Sequence, residues 1–423
     1  MDKYFHSVTL DKDLCKGCTN CLKHCPTEAI RIRNSKAKII KELCIDCGEC
    51  IRICPYHAKK AITDEYEKIF DYKYKIALPA PAFYAQYNDV NIEILLYALK
   101  LLGFDEIREI TVGADIVSAK TNELLSSNNI EKPLISSSCP AIVRLIKIRF
   151  PSLIPNILPF QSPLDIIAKK AKFETAEKLS ISHKDVGVFF ISPCAAKVTS
   201  SKVPIGIPES YVDGVISIAK IVQEIAPFYS KLTESGDDFS QSTASGIGWA
   251  KSGGESHELH SFNSIAVDGV KNVIKLLEDL EDDKITDIDF IECCACTGGC
   301  VGGPLTVNNT YVSQANIRKL IKKYQREPSC FNCNEEDVSL SLSIERDTIL
   351  KLGSNMSESI KMMEAIDKLA KKLPGLDCGS CGAPSCSALA EDVVKGYAKE
   401  SDCIFIYKEK LKTFMNEMNL LKE

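Results

Sequence analysis

Along residues 72–335, short apolar runs alternate with longer stretches in which apolar positions recur every three or four residues. The runs at 75–78, 132–136, 186–191 and 289–292 read as short buried strands, and the stretches at 91–102, 270–280 and 313–324 as helices. Strands that alternate with helices imply a parallel sheet, so this part should be an α/β unit. The flanking parts lack that rhythm. Residues 1–71 are broken by closely spaced cysteines and prolines, and residues 336–423 run through a mixed stretch into a glycine-rich, cysteine-bearing loop and a helical segment at 387–399. The chain therefore divides into three domains, 1–71, 72–335 and 336–423, an α+β and α/β multidomain protein. The apolar run at 187–196 is about half of the roughly 20 residues that a spanning helix needs. The polar start, Met1-Asp2-Lys3-Tyr4, lacks the apolar segment of a secretory signal.

Composition changes this picture at one point. The 423 residues are 45% hydrophobic and 26% charged, with Lys+Arg 52 against Asp+Glu 57, but they include 20 cysteines. A net charge of −5 supplies no basic field for nucleic acid or an anionic membrane surface. A chain this long buries enough core to do without disulfide staples. The expectation is a cytoplasmic protein whose thiols stay reduced and bind metal.

The spacing says which metal. Cys15-x-x-Cys18-x-x-Cys21-x-x-x-Cys25-Pro26 is repeated about thirty residues on as Cys44-x-x-Cys47-x-x-Cys50-x-x-x-Cys54-Pro55. Zinc takes Cys-x-x-Cys pairs, but it explains neither a third cysteine at the same interval nor the proline after the fourth. The two runs read as a ferredoxin-like two-cluster module in which the fourth cysteine of each run crosses to the other cluster. Cys15, Cys18, Cys21 and Cys54 then hold one [4Fe-4S] cluster, and Cys44, Cys47, Cys50 and Cys25 the second. A third patch, Cys378, Cys381, Cys386 and Cys403, closes four thiols on one site, with glycines that free the backbone to wrap it. Four cysteines suit tetrahedral zinc equally well. This stretch resembles the small four-iron domain of corrinoid-linked and electron-bifurcating redox proteins, which favours [4Fe-4S] and a small helical iron–sulfur module.

Between these patches, cysteines follow strand candidates in three loops: Ser136-Ser-Ser-Cys139-Pro140, Ile191-Ser-Pro-Cys194-Ala-Ala-Lys197, and Glu292-Cys-Cys-Ala-Cys296-Thr-Gly-Gly-Cys300. These signatures, with Ala80-Pro81-Ala82 before them and Ser162-Pro163 after the first, resemble the [FeFe]-hydrogenase catalytic domain. With the flanking modules, the chain is most similar to the sensory branch of that family. The resemblance implies a [4Fe-4S] cube on Cys139, Cys194, Cys296 and Cys300. Cys300 would bridge to a diiron unit carrying CO, cyanide and azadithiolate, and Lys197 would donate to a cyanide. It also places Ala80, Pro81, Ser192 and Gly299 against the cofactor and Ser162 among the catalytic residues. Four [4Fe-4S] clusters follow in all, with H2 and protons as substrates, a ferredoxin or signalling protein as redox partner, and a maturation machinery to install the diiron unit.

The departures bear on rate. The cysteine that relays protons in catalytic members is here Ser138; a thiol with a pKa of about 8.5 exchanges protons near neutrality, whereas a hydroxyl only passes them along. The family's paired glutamates reduce to Glu123, and the methionines near the diiron unit become Ser192 and Cys294. These changes imply slow turnover and a sensing role, with Cys294 a substitute relay and Cys293 pointing away if the segment is extended. The competing reading is a non-catalytic iron–sulfur carrier or scaffold without the diiron unit. Cys330 and Cys333 read as an ordinary reduced pair, the 245–254 glycines as a loop before an internal helix, and Met362-Met363 as core.

Overall fold

The computed structural model describes residues 5–88, 90–127, 130–232, 240–326, 334–347 and 352–420. The chain forms two compact units. The first comprises Met1–Val8, Ile45–Gly48 and Ala61–Arg346; the second comprises Thr9–Cys44, Glu49–Lys60 and Asp347–Glu423. Among the described residues, no helix is long and apolar enough to cross a membrane.

At the centre of the first unit lies the strand Val186–Ser192, buried along its whole length. Its sequence of β-branched and aromatic residues is what a strand covered on both faces requires. It pairs in parallel with Tyr74–Pro79 on one side and Gly214–Ser217 on the other, and Glu106–Ile107 closes the outer edge beyond Tyr74–Pro79. Phe189 and Phe190 are neighbours on this strand and enter different core clusters, as alternating side chains must. A second parallel sheet has the order Ser264–Asp268, Phe290–Cys294, Leu134–Ile135. The expected strands thus appear in two sheets rather than one. The three strands not foreseen are short or only partly buried, so their apolar signal is weak.

The expected helices appear as Ile92–Leu101, Val270–Glu281 and Thr310–Lys323. Two longer helices, Ile110–Ser126 and Pro163–Leu179, were not foreseen. They pack so closely that a Cβ on Gly113 would lie 2.5 Å from the Pro163 carbonyl oxygen. Both are buried along much of their length, which blurs the amphipathic stripe that periodicity detects.

In the second unit, Ile30–Arg33 and Lys36–Ile39 form an antiparallel hairpin. The helix Cys386–Val394 is capped by Ser385, which accepts from the Ala388 amide. It stops earlier than the periodicity suggests, because Gly396 takes φ 78 and turns the chain away. In the helix Met356–Lys372, Met363 is 55% exposed, so the reading of the methionine pair as core is corrected. The packed side of that helix carries Ile366, Leu369 and Ala370 instead.

Candidate metal centre

Three parallel strands end on cysteine loops. Leu134–Ile135 leads to Cys139, Val186–Ser192 to Cys194, and Phe290–Cys294 to Cys296 and Cys300. Ligand sites gather at such carboxyl ends because the loops there converge. The four cysteines line one cavity together with Ala80, Pro81, Ser138, Lys197, Cys294 and Gly299. Cys139 and Cys194 each occupy the N-cap of a helix, Pro140–Arg149 and Ala195–Lys202, where helix dipoles favour a thiolate.

Burial pushes the Cys300 thiol up to about 12, and Lys197 works against that rise. Cys194 is raised too, by burial and then by Cys296 and Cys139 nearby. Thiols raised by burial, as Cys194 and Cys300 are, become stable thiolates on a metal, and four cysteines around one cavity fit an iron–sulfur cube. The backbone fits as well. A Cβ on Gly303 would lie 2.1 Å from the Pro193 carbonyl oxygen, and one on Gly299, at φ 86, 2.4 Å from the Ser252 nitrogen, so glycine alone permits these loops to close.

Lys197 Nζ donates to the Ser138 carbonyl at 3.2 Å. Its helix is held by Ser7 Oγ on the Ala195 carbonyl at 2.7 Å and by Thr199 Oγ1 on Asp46 at 2.9 Å. The Ser138 hydroxyl is buried in the cavity wall without a hydrogen-bond partner. Cys47, from the second ferredoxin-like run, lines the same cavity.

Two expected residues lie elsewhere. Ser162 caps Pro163–Leu179, donates to Asp165 at 2.7 Å and lines a separate cavity. Ser192 is fully buried; its hydroxyl donates to the Cys194 carbonyl and accepts from the Cys194 amide, each at 3.1 Å, so it shapes the cysteine turn and is not part of the cavity lining. Glu123 is a further correction: its side chain is 66% exposed and pairs with Lys120 outside the cavity. Cys293 is buried and lines the cavity along with Cys294, so the expectation that it points away from the site is corrected. Cys330 and Cys333 lie outside the described residues.

Sequence reasoning missed Glu255 and Glu292, which line the cavity and are almost fully buried. Ser136 Oγ donates to Glu255 Oε2 at 2.6 Å, and Glu255 Oε1 has no partner. Glu292 accepts from the Gly253 and Ser256 amides at 2.9 Å each and from the Cys294 thiol at 3.7 Å. Burial raises both carboxyls, Glu255 to about 8, where the Glu292 charge adds to the rise, while the Ser256 and Gly253 amides hold Glu292 down. The sequence held one signal: Glu292 stands as a charge inside a buried apolar run, which is costly without a purpose.

The second unit holds two further thiol sets. Cys15, Cys18, Cys21 and Cys54 line one cavity, and Cys378, Cys381, Cys386 and Cys403 another. Sulfur accepts backbone N–H groups at Cys15 from Ala37 (3.5 Å) and at Cys54 from Ala58 (3.3 Å). Lys59, 2% exposed, lines the first of these cavities with its ammonium unpartnered. A buried cation is tolerable beside an anion, and a tetrathiolate cluster is one.

Thiol sets of this kind on this fold define an iron–sulfur redox protein. The chain belongs to the iron-only hydrogenase large subunit family, whose C-terminal domain profile matches residues 73–304. A 4Fe-4S dicluster domain profile matches residues 7–55, and an Fe-S cluster profile residues 373–405. Iron hydrogenase 1 of Clostridium pasteurianum is 26% identical over 84% of this chain and 74% of its own length. The periplasmic [Fe] hydrogenase large subunit of Nitratidesulfovibrio vulgaris is 32% identical over 45% of this chain, and the match spans half of that relative's length. A solved [FeFe]-hydrogenase of Chlamydomonas reinhardtii aligns with 65% of this chain and 94% of its own at 18% identity, TM-score 0.47.

Proposed function

We propose that this protein interconverts H2 with two protons and two electrons, slowly, and that its redox state is read by a partner. The observation that carries this reading is the cavity, where Lys197 and the buried Glu255–Glu292 pair stand beside Cys139, Cys194, Cys296 and Cys300. A bare cube needs neither a lysine nor two carboxyls. A diiron unit with CO, cyanide and azadithiolate, held by Cys300 and installed by a maturation machinery, would supply the H2 chemistry.

The chain's own residues do the rest. Lys197 offers an ammonium donor to anionic ligands in the cavity. Cys294 can hold a proton and donates to Glu292, and Glu255, next to Glu292, is the following acceptor on the way to Ser136. Ser138 stands where a relay thiol would hold a proton, and its partnerless hydroxyl neither holds nor passes one, which keeps turnover low. Ser162 acts at a distance, by positioning the Asp165 turn. The remaining cysteine sets would hold cubes, four [4Fe-4S] clusters in all, that would carry electrons to a ferredoxin-like or signalling partner in the cytoplasm. Residues 1–71, 72–335 and 336–423 serve as ferredoxin, hydrogenase and C-terminal four-iron domains.

Infrared spectroscopy of the maturated protein tests the reading. CO and cyanide stretches are expected; their absence, with the iron–sulfur clusters intact, would leave a carrier or scaffold in place of an enzyme.

A further inference from the structure

In the second unit, the C-terminal cysteine loop is fastened to the first ferredoxin-like repeat. The Ile32 amide donates to the Gly382 carbonyl at 2.8 Å, and Gly382 stands beside Cys381. A Cβ on Gly382 would lie 2.1 Å from the Ile32 carbonyl oxygen, so the approach requires glycine, which also takes φ 78 there. Arg31 grips Asp392 with Nε at 2.7 Å and Nη2 at 3.2 Å, both side chains 7% exposed. Arg33 joins the same carboxylate at 2.7 Å and donates to the Cys381 carbonyl at 3.2 Å. A buried carboxylate held by two guanidiniums is a specific fastening, since either side alone would strand a charge.

What lies at the join matters more than its strength. Ile32 also lines the cavity of Cys15, Cys18, Cys21 and Cys54, so one residue borders that cavity and holds the Cys381 loop. A Cβ on Gly379, next to Cys378, would stand 3.3 Å from Leu22, next to Cys21. Of the C-terminal thiols, Cys378 is exposed and Cys403 buried. We propose that the Cys378–Cys403 site exchanges single electrons directly with the Cys15–Cys54 site across Ile32 and Leu22. Each transfer oxidises one cluster by one electron and reduces the other by one. The inference rests on the iron–sulfur part of the proposed function and is independent of the diiron unit.

The test uses the full chain with its iron–sulfur clusters. In electron paramagnetic resonance of the reduced protein, the C-terminal cluster and the ferredoxin clusters should show mutual spin–spin broadening. Cys381→Ser should remove it and leave the pattern of a two-cluster ferredoxin. Asp392→Asn should keep the iron content, and as the Ile32 amide loses its protection against exchange the broadening should be lost with it. An additive wild-type spectrum, or broadening that survives Asp392→Asn while Ile32 exchanges freely, overturns the proposal. Missing infrared bands with the broadening intact would sink the hydrogenase reading alone.

Discussion

Glu255→Gln removes a proton carrier while keeping the shape of the side chain and an acceptor for the 2.6 Å bond from Ser136. General acid–base groups contribute about 10²–10⁴-fold, and at the low end of that range H2-dependent dye reduction should fall about 100-fold, or about 2.7 kcal/mol of barrier. Cys294, Glu292 and Glu255 form a series, so Glu255→Gln combined with Glu292→Gln should be no slower than the worse single variant. The pH profile adds a sign. The Glu292 charge helps to raise Glu255, so Glu292→Gln should let the Glu255 carboxyl fall, and any residual activity should lose its protonated form at lower pH. Infrared bands serve as the loading control for every variant. Glu255→Gln turnover within twofold of wild type at full loading, or a double variant whose losses multiply, would refute the series.

Ser138→Cys places a thiol, which is more acidic than a hydroxyl and can hold and release a proton, where a buried hydroxyl lacks a partner, and turnover at matched infrared loading should rise by about tenfold or more. Lys59→Met leaves the Cys15–Cys54 cluster without its buried cation; a redox titration should find that cluster harder to reduce, by on the order of 2 kcal/mol, whereas an unchanged midpoint would mean the ammonium is turned away. Burial raises Asp115 to about 6 from 3.8 although Thr243 donates to it, so the folded state takes up this proton first as pH falls. The ionised form therefore costs the fold about 3 kcal/mol above pH ~6, a cost removed progressively between about 6 and 4. Asp115→Asn should abolish that part of the pH slope in urea unfolding followed at Trp249, and an identical slope would count against it. Gly303→Ala drives a Cβ to 2.1 Å from the Pro193 carbonyl, so the variant should lose about four iron atoms per chain, measured by iron analysis.

Periodicity and spacing carried much of this protein in the open. The buried run at 186–191 could be little other than a covered strand, and repeated cysteine intervals name their metal because a cube needs ligands at set separations. That Cys54 lines a cavity with Cys15, Cys18 and Cys21 was readable from that interval alone. The long helices Ile110–Ser126 and Pro163–Leu179 were not readable, since burial on several sides erases the stripe.

Other features exist only in three dimensions. Glu255 and Glu292 are far apart in sequence and become a pair because a glycine loop folds back onto a strand end, with Glu292 holding the Gly253 and Ser256 amides. Ser162 and Ser192 matched a motif, yet their hydroxyls serve a helix cap and a cysteine turn. The fastening of Asp392 to Arg31 joins residues 361 positions apart and leaves no periodic trace. The sequence by itself determined the ligand types and their local intervals, because those are set by covalent spacing along the chain. Only the tertiary structure decided which buried charges share a cavity, because desolvation and pairing depend on neighbours that the order of residues does not record.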